Sequence, residues 1–263
     1  MRRMHLQKGG HMGEVPTTFI GWVSFLIERF GAQFVKGTIT TLELAFMGTV
    51  LGCLLGFLVG IVQSITVDKH SSPLSRGLVK VLKGIVAIYV EVFRGTPMMV
   101  QAMVIYYGSA QAWGIDLDPF FSGILVLSLN TGAYMAESVR GAITGIDSGQ
   151  LEGAYAIGFS HVQAMTRVII PQAFRNLIPQ IGNTFISAIK DTSVLNVISV
   201  TELYFIGRGV SSAYYRFFET FFIISMIYLF LTFVTSRLLG IMERRLDGAK
   251  DYELVLDDEA EVA

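Results

Sequence analysis

The chain is poor in charge and has a single cysteine among its 263 residues. Charged side chains make up 16% of the sequence, against about a quarter in soluble domains. One cysteine excludes both a disulfide framework and a metal site built from thiolates. The net charge of −1, without a basic cluster among aromatic residues, gives no indication of nucleic-acid binding. With 52% hydrophobic residues, this composition predicts an integral membrane protein.

Sequence motifs of common catalytic sites are also missing. The chain has no G-x-x-x-x-G-K-[ST] loop, so ATP binding of that kind is excluded. It has neither H-E-x-x-H nor G-x-S-x-G, and intramembrane hydrolysis therefore has no support. We expect a protein that is not an enzyme, with no catalytic residue, no metal site and no cofactor bound by this chain.

Long apolar runs predict an all-α membrane domain over residues 17–246, with about five spans of roughly 20 residues each. The predicted spans are residues 37–65, 78–108, 120–139, 177–200 and 217–241. An amphipathic helix over 17–34 precedes them at the membrane interface, because Glu28 and Arg29 interrupt its apolar stripe. Residues 1–16 are expected to be a flexible tail rather than a cleaved signal peptide. Residues 247–263 are expected to be an acidic, disordered cytoplasmic tail.

Two local patterns refine these spans. Small residues recur at every fourth position in the first span, at Gly48, Gly52, Gly56 and Gly60. This spacing predicts close packing against another helix. Residues 78–108 would form a straight helix of about 45 Å, too long for one simple span. Pro97 predicts that this segment breaks at Arg94–Pro97, since proline removes a donor and disfavours helical geometry at Thr96.

Basic residues orient the chain in the cell membrane. The first connection carries four of them, Lys69, Arg76, Lys80 and Lys83, whereas the second, residues 109–119, carries none. The positive-inside rule then places the N-terminus outside and the C-terminus in the cytoplasm. Some basic residues fall on the outer side and oppose the rule, among them Arg29, Lys36, Arg208 and Arg216.

The polar stretch Gln150–Arg175 lies between two spans. Its halves on either side of Gly158 predict two short amphipathic helices, and Gly158 allows the turn between them. Glu152 is expected near the N-terminus of the first helix, where a carboxylate favours the helix dipole. A membrane protein that keeps a helix pair in water is expected to present it to a soluble partner.

This stretch resembles the loop motif E-A-A-x-x-x-G, with I-x-L-P downstream, of the permease subunits of ABC importers. Glu152, Ala154, Gly158 and Ile169-Ile170-Pro171 match it, while Gly153 replaces the usual alanine and lowers helix propensity by about 1 kcal/mol. The resemblance implies two coupling helices that dock in a cleft of a cytoplasmic ATPase. The residues that it implies in coupling are Glu152, Gly153, Ala154, Gly158, Phe159, Arg167 and Pro171.

Further motifs narrow the resemblance to the polar amino acid uptake group, of histidine, glutamine, arginine and cystine type. They are Arg94-Gly95-Thr96-Pro97 with Gln101, Ala133 to Gly141, and Lys190-Asp191-Thr192-Ser193, within a match over residues 37–203. The resemblance implies a type I ABC importer permease fold. It also implies these partners: a second permease subunit (itself or a paralogue), two ATPase subunits that bind ATP-Mg, and an extracytoplasmic substrate-binding protein.

Polar side chains share one face of the fourth span. They are Gln180, Asn183, Thr184, Ser187, Lys190 and Asp191, followed by Val194. Charges at this depth must face a cavity or each other. Either this face lines a pathway for a zwitterion, or Lys190 or Asp191 pairs with Glu137, Arg140 or Arg94 and locks the bundle. The candidate pathway residues are Asn183, Ser187, Lys190, Asp191, Glu137, Arg94 and Glu43.

Single polar residues elsewhere have simpler interpretations. Asn130 in the third span favours an interhelical hydrogen bond over a ligand contact. Glu43 favours a carboxylate that reaches the interface, with a contact to a cationic substrate or the binding protein as the alternative.

Two other classes of protein stay open at this point. A proton- or sodium-coupled amino acid carrier would use Lys190, Asp191 and Glu137 as ion-relay groups, but it gives the Gln150–Arg175 stretch no role. A scaffold or receptor would explain that stretch but not the charged face. A cationic substrate would favour Glu43, Glu137 and Asp191, and a neutral or anionic one Lys190 and Arg94.

Overall fold

The computed structural model describes residues 16–65 and 72–246, so the tails expected over 1–16 and 247–263 lie outside it, apart from Pro16. Within these ranges the chain is helical and contains no strand, which confirms the predicted all-α class. The α-helices are α1 (Phe19–Ser64), α2 (Pro73–Gly95), α3 (Met98–Trp113), α4 (Pro119–Thr144), α5 (Ser148–Ala156), α6 (His161–Ala164), α7 (Ile170–Asp191), α8 (Leu203–Tyr214) and α9 (Phe217–Leu246). A π-helical turn, Met165–Ile169, joins α6 to α7, and a 3-10 helix, Thr192–Ile198, follows α7.

Helix α1 unites two segments that the sequence separates. It runs for 46 residues, about 69 Å, through both the predicted amphipathic helix 17–34 and the first span. Its N-terminal part is not free at an interface, because Leu26 and Phe34 are buried against α8 and α9. Glu28 and Arg29 point away from this core and are exposed. A helix on the membrane surface and one that packs on the bundle share the same amphipathic pattern, which is why the sequence did not distinguish them.

The glycine stripe of α1 packs directly on α4, as its spacing predicts. A Cβ atom added at Gly56 would lie 2.5 Å from Met135 Cβ, and one at Gly60 would lie 2.6 Å from Val139 Cβ. Gly48 and Gly52 meet Leu127 and Thr131 in the same way. Side chains larger than hydrogen would force the two helices apart.

Three of the described helices are long and apolar enough to cross a membrane by length and composition: α1, α4 and α9 up to Arg245. The other two predicted spans do not meet these criteria of length and apolar composition. The second is divided into α2 and α3 by the break at Gly95–Met98. The fourth, α7, has a face of amide, hydroxyl and charged side chains.

A buried carboxylate fastens α8 to α9. Glu202 is fully buried and accepts hydrogen bonds from the backbone N–H groups of Tyr204 (2.9 Å) and Phe205 (2.7 Å) at the start of α8. The hydroxyl of Tyr228, on α9, donates to the same carboxylate at 2.9 Å. The backbone N–H of Leu203 donates to Thr41 Oγ1 on α1 at 3.3 Å, so this turn holds three helices together.

Candidate functional site

The predicted break between α2 and α3 is present, and buried amides stabilise it. Pro97 stands at the N-cap of α3 and leaves carbonyl groups at the end of α2 without intrahelical partners. Gln101, itself buried, donates from Nε2 to the carbonyl oxygens of Phe93 and Thr96, at 2.9 Å each. Asn130 on α4 donates to Gln101 Oε1 at 3.1 Å and to Phe93 O at 3.3 Å. The interhelical hydrogen bond predicted for Asn130 is therefore confirmed.

A cavity of about 530 Å³ opens beside this break. Its wall combines the start of α3, one side of α4 and the polar face of α7: Thr96, Pro97, Met98, Met99, Asn130, Thr131, Tyr134, Gln180, Asn183, Thr184, Ser187, Ala188, Asp191 and Val194. The face predicted from the sequence thus lines a cavity, with the exception of Lys190. Asp191 is the only charged side chain in the wall. The volume lies within the range of small-molecule sites.

A separate ion-pair cluster lies close to this cavity. Glu137 contacts Arg140 Nη2 at 2.9 Å and Arg94 Nη1 at 3.6 Å. Arg94 also lies over the ring of Tyr134, 5.6 Å from its centroid. Both arginines are more than 40% exposed, so each ion pair contributes about 1 kcal/mol or less. Helix α2 is thereby linked to α4 beside the cavity wall that Tyr134 helps to form.

The ion pair that the sequence suggested as a lock for the helix bundle is made by other residues. Among the described ion pairs, Glu137 takes Arg140 and Arg94, and neither Lys190 nor Asp191 takes part. The reason is local, because Arg140 lies three residues along the same helix and reaches Glu137 without any tertiary contact. Glu43 is exposed on α1 and is not part of the cavity wall.

Residues 148–169, from α5 to the π-helical turn, are called the coupling segment here. This segment contains the two predicted helices, and the second helix is continuous with α7. Asp147 caps α5, accepting a hydrogen bond from the Gly149 N–H at 2.7 Å. Gly158 adopts φ +86°, the left-handed conformation that the predicted turn requires. Ser160 and Gln163 then form a capping box at the start of α6. From there the chain stays helical through the π-helical turn into α7, so no loop separates the second helix from the cavity wall.

One sequence expectation about this segment is wrong. Helix α5 begins at Ser148, so Glu152 is its fifth residue and lies beyond the first turn. The residue at the N-terminus is Asp147, and its carboxylate makes the cap hydrogen bond. The helix dipole falls off within the first turn and does not account for Glu152.

The exposed side of the coupling segment is apolar around one free carboxylate. Glu152 is exposed and makes no hydrogen bond or ion pair with the described residues. Around it, Ile157 and Val162 are 72% and 68% exposed. Tyr155 is also exposed, and its hydroxyl lies 2.8 Å from His161 Nδ1, across the Gly158 turn. The sequence did not predict the exposure of Tyr155 or Ile157, because it depends on how α5 is turned.

The other predicted coupling residues have supporting positions. Ala154 lies on the buried side of α5, and its carbonyl oxygen accepts a hydrogen bond from the Phe159 N–H at 3.0 Å. Arg167 lies 5.8 Å from the centroid of the Phe159 ring. Pro171 is the second residue of α7, and because the chain is already helical before it, its ring replaces an N–H within the continuous helix, next to the π-helical turn. Gly153 has open space around the position of a Cβ atom.

Comparison with known proteins gives the class. Residues 52–248 match the family described as "Binding-protein-dependent transport system inner membrane component". The chain is similar to the nopaline transport system permease protein NocM of Agrobacterium fabrum, with 34% identity over 84% of this chain and 90% of NocM. It is 40% identical to the L-cystine transport system permease protein TcyB of Bacillus subtilis, over 64% of this chain and 72% of TcyB. A solved structure described as an amino acid ABC transporter with histidines aligns with TM-score 0.75 and 34% identity, over 88% of this chain and all of that one.

The chain therefore belongs to the inner membrane component family of binding-protein-dependent transport systems. It is a multi-pass permease subunit of an ABC importer with the type I fold, and this subunit is not itself the enzyme of the system. The family membership decides against the ion-coupled carrier and the scaffold that the sequence left open.

Proposed function

We propose that this chain, paired with a second copy or a paralogue, forms the pathway of an ATP-driven importer of polar amino acids. The observation that carries the proposal is the polar cavity between the α2–α3 break, α4 and α7. Two of its relatives are named for nopaline and L-cystine, and the similar solved structure is an amino acid transporter.

The cavity wall matches the two charges of a free amino acid. Asp191 supplies a carboxylate for the ammonium group. Donors for the carboxylate group come from the amides of Gln180 and Asn183 and the hydroxyl of Ser187. Helix α3 starts at this wall without a side-chain cap, so its first N–H groups add partial positive charge there. Lys190, Arg94, Glu137 and Glu43 then act outside direct substrate contact.

Coupling follows from the continuity of α6 with α7. Two cytoplasmic ATPase subunits hold the α5–α6 segments of the permease pair and bind ATP-Mg. Closure of the ATPases draws the two segments together, and α7 carries that movement to the cavity wall because no flexible loop intervenes. A substrate-binding protein delivers the amino acid from the other side. This arrangement places the N-terminus outside and the C-terminus in the cytoplasm, in agreement with the basic first connection.

The decisive experiment is uptake into proteoliposomes that contain the permease with its ATPase and its binding protein. We expect uptake of a labelled polar amino acid that requires ATP hydrolysis, and competition among unlabelled amino acids identifies the substrate. Uptake that continues without the ATPase, driven by a proton or sodium gradient, would overturn the proposal.

A further inference from the structure

The first half of α2 makes no packing contact that buries its side chains. Leu74, Leu78 and Ile85 are 83%, 69% and 60% exposed. In this half only Val79 and Lys83 are partly covered, and Val86, Tyr89 and Val90 are the first side chains that pack against α1 and α4. A helix of this length in water would not leave such side chains uncovered, so another component of the assembly covers them.

This half-helix carries two opposite faces. At about 100° per residue, Arg76, Lys80 and Lys83 fall within roughly 60° of one another. The exposed side chains Leu74, Leu78, Val81 and Ile85 lie on the far side. None of the three basic residues forms an ion pair with the described part of the chain. Cationic and apolar faces on one helix are typical of a segment that lies at a membrane surface.

The apolar face continues along α2 into the bundle. Ile88 and Val92 extend the same stripe and are 66% and 49% exposed. Together α2 and α3 contain 23 and 16 residues, about 58 Å of straight helix, against a hydrocarbon layer of about 30 Å. The excess length must lie outside the hydrocarbon layer, and the half of α2 that carries the charges is the part suited to the interface.

We propose that Arg76, Lys80 and Lys83 bind the phosphate groups of anionic lipids, while the apolar stripe of α2 rests on the acyl chains beneath. A soluble protein partner would explain the charges but not why the apolar stripe continues without a change along the exposed side of α2 to Ile88 and Val92.

The test compares the assembled importer, wild type and Arg76→Gln/Lys80→Gln/Lys83→Gln, in membranes of phosphatidylcholine with or without phosphatidylglycerol. Phosphatidylglycerol retained on the purified complex is counted by native mass spectrometry. A basic residue near an anionic surface strengthens binding roughly fivefold, so we expect the triple variant to lose most of the retained lipid. A matched control, Arg76→Lys/Lys80→Arg/Lys83→Arg, keeps the charges and is expected to keep the lipid.

The possible results distinguish a lipid from a protein as the molecule that covers the first half of α2. Equal lipid retention by the wild type and the triple variant would refute the proposal, and loss of the ATPase at unchanged retention would assign the face to that subunit. Should the triple variant fail to assemble, the wild type in high salt gives the answer, since screening shortens the reach of surface charges to about 3 Å at 1 M. Retention that is insensitive to salt would then overturn the proposal. Because lipid is counted without transport, this test is independent of the substrate and of uptake.

Discussion

Asp191 and Lys190 are neighbours in sequence, yet only the carboxylate lines the cavity. Successive helical residues diverge by about 100°, so Asp191 can line the cavity while Lys190, at the opposite edge of the polar face, does not. At the scale of single residues, this angle determines which charge a substrate meets. It also supports an ammonium partner as the charged contact in this subunit.

We expect Asp191→Asn to raise the KM for substrate uptake at least tenfold. The change removes a charge-assisted contact, typically about 1.5–3 kcal/mol, while the amide keeps the shape of the side chain. Lys190→Gln is the matched control and should leave KM within about twofold. Concentration-dependent uptake in proteoliposomes measures both variants. An unchanged KM in Asp191→Asn would exclude Asp191 as a substrate contact.

Two glycines of the coupling segment differ in backbone conformation, so the same substitution is expected to have opposite effects at the two positions. Gly153 lies within α5 and Gly158 has φ +86°, and both have open space around a Cβ atom. We expect Gly153→Ala to stabilise the segment by about 1 kcal/mol through helix propensity. We expect Gly158→Ala to destabilise it by about 1–2 kcal/mol, because a Cβ atom is disfavoured in the left-handed region. Hydrogen exchange of residues 148–164 measures both effects, and equal protection in the two variants would contradict the assigned roles.

The element that shapes the cavity is the α2–α3 break, and its geometry depends on Gln101. The amide of Gln101 serves two carbonyl groups of the broken end and receives a donor from Asn130. Without it, the carbonyl oxygen of Thr96 would lose its side-chain donor, and that of Phe93 would keep only the 3.3 Å hydrogen bond from Asn130. The break is therefore held by side chains from two helices rather than by Pro97 alone.

We predict that Gln101→Leu destabilises the permease by about 1–3 kcal/mol, the cost of leaving buried polar groups unpaired. Uptake should fall as well, because Thr96 and Pro97 form part of the cavity wall. Gln111→Leu lies on the same helix at an exposed position and controls for the change in side-chain chemistry. Thermal unfolding in detergent compares the two variants. Equal melting temperatures would show that the break does not need the amide.

At the scale of the whole molecule, one continuous helix joins the proposed docking surface to the cavity. Val162 lies on α6, which runs through the π-helical turn into α7, whereas Glu152 and Ile157 precede the turn at Gly158. Force applied to α6 need not pass through a loop. The turn at Gly158 leaves α5 free to adjust to the partner surface.

Glu152→Arg and Ile157→Asp are each expected to abolish co-purification of the ATPase while the permease still folds in the membrane. The first change reverses the one unpaired carboxylate of the surface, and the second places a charge in its apolar part. Glu28→Arg reverses an exposed charge on α1, far from this segment, and should assemble normally. Normal recovery of the ATPase with both coupling variants would refute the docking surface.

Several features of this protein are determined by the sequence alone, because they depend on the spacing of residues or on residue types with a special backbone geometry. The four-residue glycine spacing predicted a close contact with another helix, Pro97 predicted the break in the second span, and Gly158 predicted the turn in the coupling segment. The polar face of α7 was visible because its members recur at helical spacing. Each of these depends on local backbone geometry, which a single segment specifies by itself.

Only the tertiary structure decided the features that depend on what a side chain meets. Glu202 follows the predicted fourth span in the sequence, and the fold buries it against Tyr228 and the start of α8. The sequence predicted a separate amphipathic helix over 17–34 at the membrane interface, whereas this segment is the start of α1 and packs on α8 and α9. It offered Asp191 several partners, and the fold left the carboxylate in a cavity wall while Glu137 took both arginines. Periodicity identifies a face, but the neighbour of that face is set by the packing of helices distant in sequence.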